Sequence, residues 1–91
     1  MTNQQSLLRK QLMQSIKENT TAQVDDVVTA VDVYGGLVIT VIIDDVNPEI
    51  TEAITKALAG YGITPTRWKT NPGKESWLKL MIWANQSEQG T

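Results

Sequence analysis

Two runs rich in β-branched residues, Val27 to Tyr34 and Leu37 to Ile43, flank the pair Gly35-Gly36. Val, Ile and Thr favour pleated strands, and glycine accepts the positive φ that tight hairpin turns require. The segment therefore predicts an antiparallel hairpin with Gly35-Gly36 as a two-residue loop. In that register Val33 faces Val38, Val31 faces Thr40 and Thr29 faces Ile42. The other side pairs Tyr34 with Leu37, Ala30 with Val41 and Val28 with Ile43, with Asp32 beside Ile39.

A helix is expected on each side of this hairpin. Over Gln5 to Glu18, Leu8, Leu12 and Ile16 recur at helical spacing with Leu7 and Met13 beside them, while Arg9, Lys10, Gln14 and Lys17 take the other side. Asn19, Thr20 and Thr21 end the pattern. Over Asn47 to Ala59, Asn47 suits an N-cap and Pro48 the first helical position. Glu49 and Glu52 lie near the positive end of the helix dipole, and Ile50, Ile54, Ala57 and Leu58 form the apolar stripe. Gly60 is expected to stop the helix.

Ile63 to Thr70 and Trp77 to Ala84 predict a second hairpin around Asn71-Pro72-Gly73-Lys74. The element order is then α-β-β-α-β-β. The expected class is α+β, a two-layer sandwich with two helices on one face of a four-stranded antiparallel sheet. The order matches a ferredoxin-like fold whose first strand has moved to the end, which predicts sheet order 3-4-2-1 with the two most apolar strands in the centre. The helix–hairpin–helix–strand order is also similar to that of some iron–sulfur assembly domains. Their acidic-proline motif and cysteine have no matching position here, so the similarity implies organisation alone. One domain is expected over residues 1–91, with an ordered core over about 5–84 and a polar tail over 85–91.

The side chains bound the chemistry. The 91 residues include no cysteine and no histidine. Thiol nucleophiles, disulfides, imidazole bases and the usual zinc ligands are therefore excluded. Met1 to Ser6 is polar with no apolar stretch after it, so no signal peptide is expected. The longest apolar run, Leu37 to Ile43, is too short to span a bilayer. A cytoplasmic location without membrane association is the expectation, as is the absence of a cofactor.

The formal net charge is −2, with the two signs segregated. From Glu18 to Glu52 every charge is acidic, whereas Arg67, Lys69, Lys74 and Lys79 stand against Glu75 alone. Asp44-Asp45 and Glu49 fall at a strand end and a helix start, where carboxylates serve local roles, and they lack a metal-loop spacing. Neither Gly60-Tyr61-Gly62 nor Pro72-Gly73-Lys74 has the spacing of a phosphate loop.

The predicted register places Trp68 across from Trp77, Thr66 across from Lys79 and Thr64 across from Met81. All three tryptophans then share the face of the sheet without helices. Such a face normally meets something. The expected function is a non-enzymatic interaction domain, forming a homodimer through Trp68, Trp77, Lys79, Met81 and Trp83. A protein partner on the same face is a further expectation. Single-stranded nucleic acid is the alternative ligand, with Arg67, Lys69 and Lys74 as anion contacts. An enzyme with an active site between subunits is a third reading. No catalytic residue and no metal ligand is singled out.

Overall fold

The computed structural model describes residues 3–86 and contains the elements in the expected order: α1 (Asn3–Asn19), β1 (Val24–Val31), β2 (Leu37–Ile43), α2 (Pro48–Ala59), β3 (Ile63–Pro72) and β4 (Leu78–Gln86). The four strands make one antiparallel sheet of order β1-β2-β4-β3. The fold is α+β. The expected tail lies largely outside the described residues, although Asn85 and Gln86 belong to β4.

Helix α1 buries Leu8, Leu12 and Ile16, one face of the helix, while Leu7 stays 54% exposed instead of joining the stripe. Its C-terminal carbonyls are held by short polar side chains: Asn19 Nδ2 donates to Ser15 O at 2.8 Å and Thr20 Oγ1 to Ile16 O at 2.8 Å. Helix α2 begins as its sequence dictates. Asn47 Oδ1 accepts from Ile50 N at 3.1 Å and Pro48 opens the first turn. Its end differs from expectation. Gly60 stays right-handed at φ −62°, and the left-handed residue is Gly62 at φ +72°. Tyr61 N and Gly62 N close onto Leu58 O and Ala59 O, so the helix tightens before it stops.

The core lies between the helices and one face of the sheet. Ile50, Ile54 and Leu58 of α2 and the α1 stripe meet Leu37, Ile39, Val41 and Ile43 of β2 and Leu80, Ile82 and Ala84 of β4. Helix α1 lies over β1 and α2 over β3, so the central strands are covered by the seam between the helices.

Both hairpins depart from the predicted register. Val31 faces Leu37, not Thr40, a slip of three residues. The loop is Val33-Tyr34-Gly35, closed by Asp32 N donating to Gly36 O at 2.9 Å. Asp32 causes this: its Oδ1 accepts from Tyr34 N and Gly36 N, both at 2.8 Å, and Gly35 takes φ +82°. An aspartate before a turn, followed by a left-handed glycine, is the pattern of a three-residue hairpin loop. In the second hairpin Trp68 faces Ile82, not Trp77, a slip of five. Its loop is Lys74-Glu75-Ser76, closed by Gly73 N donating to Trp77 O at 2.8 Å.

Side chains alternate with a period of two, so a slip by an odd number turns a strand over. The central strands keep their expected faces and the outer strands are inverted. Val27 of β1 is buried against the helices, while Val28 and Ala30 lie on the other side with Val38 and Thr40. Each outer strand also carries one extra residue, Asp25 in β1 and Thr66 in β3, which shifts the register there.

Candidate interaction surface

The helix-free face is built in three cross-strand rows, ordered from β1 to β3. Asp26, Ile42, Lys79 and Asn71 form the first; Val28, Thr40, Met81 and Lys69 the second; Ala30, Val38, Trp83 and Arg67 the third. The inner two columns belong to β2 and β4 and are apolar except for Thr40 and Lys79. The β3 column is polar to cationic and the β1 column ends in Asp26. The segregated charge of the sequence thus becomes a gradient across the strands.

Of the residues expected on this face, Lys79, Met81 and Trp83 are there, and Arg67 and Lys69 join them because β3 is inverted. Trp68 is not. It sits on the helix side beside Ile82 and packs against the core. Partly covering a large aromatic on the helix side of the sheet is favoured over leaving it in water. Trp77 lies in neither strand and follows the loop of the second hairpin. The tryptophans therefore divide among the core side, the loop and the helix-free face.

Trp83 is engaged within the chain. The Arg67 guanidinium lies 4.5 Å from its ring centroid, a cation–π contact, and Thr66 Oγ1 donates to Trp83 O at 3.1 Å. Asn71 Nδ2 approaches Met81 Sδ at 3.6 Å. These contacts fix the β3 side chains across β4 and cover part of the apolar strip. The Arg67–Trp83 contact was legible only as two residue types in neighbouring strands, since it depends on the register.

At one end of the face the second loop folds up to leave a groove of about 450 Å³, lined by Asp25, Ile42, Gly73, Lys74, Glu75, Trp77 and Lys79. Lys74 stands here on the loop, beyond the row of Lys79 and Asn71, whereas Arg67 and Lys69 lie further along β3. A second, polar groove of about 250 Å³ runs between the helices past Ser15, Asn19, Glu49, Glu52 and Lys56. The chain pattern gave no signal of either groove.

The acidic residues at the strand end have local partners. Asp44 Oδ1 accepts from Gln23 N at 2.9 Å and fastens the start of β1, and Asp45 Oδ2 accepts from Asn47 Nδ2 at 2.9 Å beside the α2 cap. Among the described residues no group of three or more acidic side chains is arranged to hold a metal ion, and no polar or charged residue is buried. No helix among them is long and apolar enough to cross a membrane. The chain matches no protein-family model, and no curated protein and no solved structure gives a match.

Proposed function

We propose that this protein is a non-enzymatic interaction domain that associates with a second copy of itself through the helix-free face of the sheet. The observation that carries the reading is the make-up of the two central strands on that side: Val38, Thr40 and Ile42 beside Lys79, Met81 and Trp83. A sheet with one side in water normally turns polar residues outward there. Here one charge interrupts a strip of valine, isoleucine, methionine and tryptophan. Methionine and tryptophan are enriched in interface cores, and arginine often joins them. Stacking two such sheets face to face removes the strip from water without exposing new backbone. The strand order and the position of the helices support reading the fold as ferredoxin-like with its first strand moved to the end. A cytoplasmic location is part of the same proposal.

Solution mass by light scattering at micromolar concentration tests it. The parent is expected at twice the chain mass, and Met81→Glu and Trp83→Glu at the chain mass. A parent of single-chain mass, or variants that keep the parent's mass, rejects the face as the contact.

Single-stranded nucleic acid is the second reading, favoured by Arg67 and Lys69 beside Trp83 and Met81 on one face. Against it, the guanidinium of Arg67 occupies the ring that a base would stack on. This reading expects tryptophan quenching by an oligonucleotide that weakens as salt rises. Unchanged fluorescence at low salt removes it.

A further inference from the structure

We infer that the outer edge of β1, around Thr29 to Val31, docks the same edge of a second copy, so that two four-stranded sheets become one continuous sheet. The inference shares with the proposal above only the premise of self-association, and it names a different contact, one that fills above the micromolar concentrations at which the face pairs.

The two edges of the sheet are not alike. Bonded and non-bonded pairs alternate along an antiparallel ladder. The Asp32–Gly36 closing bond fixes the phase, so Val28 and Ala30 bond to β2 while Val27, Thr29 and Val31 direct N–H and C=O outward. The outward groups of Val27 are occupied: Arg9 Nε donates to its carbonyl at 2.7 Å, and Asp26 Oδ1 accepts from its N–H at 2.8 Å. Among the described residues, nothing bonds to the outward groups of Thr29 or Val31. The opposite edge is closed by sequence. β3 holds Pro65 and Pro72 and exposed Arg67 and Lys69. Proline and cations are usual defences of an edge strand.

Exposed apolar side chains gather at the open edge. Among the described residues, the large hydrophobics with most exposure are Leu7, Val28 at 47%, Val31 at 62%, Val33 at 91% and Tyr34 at 92%. All belong to β1, to the hairpin tip that continues it, or to α1, whose Arg9 bonds to β1. The strip on the sheet face, by contrast, is only partly exposed.

A second copy fits this edge better than a foreign extended segment. Antiparallel pairing about a dyad at Ala30 sets Thr29 of each copy against Val31 of the other, and each pair exchanges its outward backbone bonds. Alanine suits the close approach on the dyad. Asp25 and Asp26 of one copy then lie at the opposite end of the pairing from those of the other, so these acidic pairs stay apart. A foreign segment would gain the same few bonds but must first be ordered, at about 1–2 kcal/mol per residue of backbone. A strand already folded has met that cost.

The test is amide exchange and solution mass from micromolar to millimolar concentration, on the parent, Val31→Lys, Thr29→Pro and Met81→Glu. Thr29 has its N–H outward, so proline there leaves the β1–β2 ladder intact, and circular dichroism checks the fold of each variant. The parent's Thr29 and Val31 amides are expected to become protected as concentration rises. Val31→Lys and Thr29→Pro are expected to weaken association by roughly tenfold or more. Edge variants that keep the parent's mass, or amides that exchange freely in the associated state, overturn the edge contact even if Met81→Glu dissociates the protein. Loss of association in the edge variants with none in Met81→Glu sustains the edge and rejects the face. A parent that is monomeric throughout overturns both.

Discussion

The two hairpins close on the same frame and fill it differently. In each, one backbone N–H donates to the carbonyl four residues on, Asp32 to Gly36 and Gly73 to Trp77, around three loop residues. In the first, the inner turn runs from Asp32 to Gly35, a carboxylate accepts two N–H groups, and glycine holds the left-handed position. In the second, the inner turn runs from Lys74 to Trp77, and a glutamate, Glu75, holds φ +56°. Local chemistry writes the first loop. The second is imposed by its strands, where Trp68 must pack on the core side beside Ile82 while the backbone of Gly73 passes close to Trp77. The same contrast separates the edges: the self-determined hairpin carries the open edge, and the imposed one carries the prolines.

The largest effect expected from this contrast is at Gly73. A Cβ there would stand 2.8 Å from Trp77 O, a backbone atom that also takes part in the closing bond. Gly73→Ala is expected to lose about 1–3 kcal/mol, since the ladder itself must shift. At Gly36 a Cβ would meet the Asp32 carboxylate at 3.1 Å, and a side chain can move. Gly36→Ala is expected to cost less than Gly73→Ala in urea denaturation. Equal losses would mean that the second loop is no more constrained than the first.

How much of this was legible follows from the same particulars. The faces of β2 and β4 could be read because Leu37, Ile39, Val41 and Ile43, and Leu80 and Ile82, match the helix stripes in bulk. The faces of β1 and β3 could not, because each depends on the length of its hairpin loop. Gly35-Gly36 suggested a two-residue turn, but Asp32 satisfies two N–H groups and moves the turn toward itself. For the second hairpin, Asn71-Pro72-Gly73 is rich in turn-forming types, yet Asn71 and Pro72 lie in β3. An odd slip then carried Trp68 to the other side. Strand order survived these slips, since it depends on which strands are apolar on both faces and not on register.

Asp32 gives the next effect. Asp32→Ala removes the acceptor of two N–H bonds at 2.8 Å, and an expected loss of about 1–2 kcal/mol follows from leaving those donors to water or unpaired. Gly35→Ala places a side chain at φ +82° in otherwise open space, so only backbone strain opposes it, at about 1 kcal/mol. A double-mutant cycle between these positions should show coupling, because both hold one turn. Additive losses would indicate that the carboxylate and the glycine act separately and that the loop is less self-determined than its bonds suggest.

The smallest effect runs the other way. Glu75 sits in the left-handed region, which costs a non-glycine residue roughly 1–2 kcal/mol. Glycine removes that strain but gives the unfolded chain more freedom, which returns about 0.5–1 kcal/mol. Glu75→Gly is therefore expected to raise stability by roughly 0.5 kcal/mol, a shift in the urea midpoint with an unchanged slope. The sign is what matters. In the first loop the left-handed residue, Gly35, is already a glycine, so no comparable gain is available there. If Glu75→Gly lowers stability, the glutamate side chain contributes something that its strained backbone conceals, and the groove it lines beside Lys74, Trp77 and Lys79 becomes the first place to look for it.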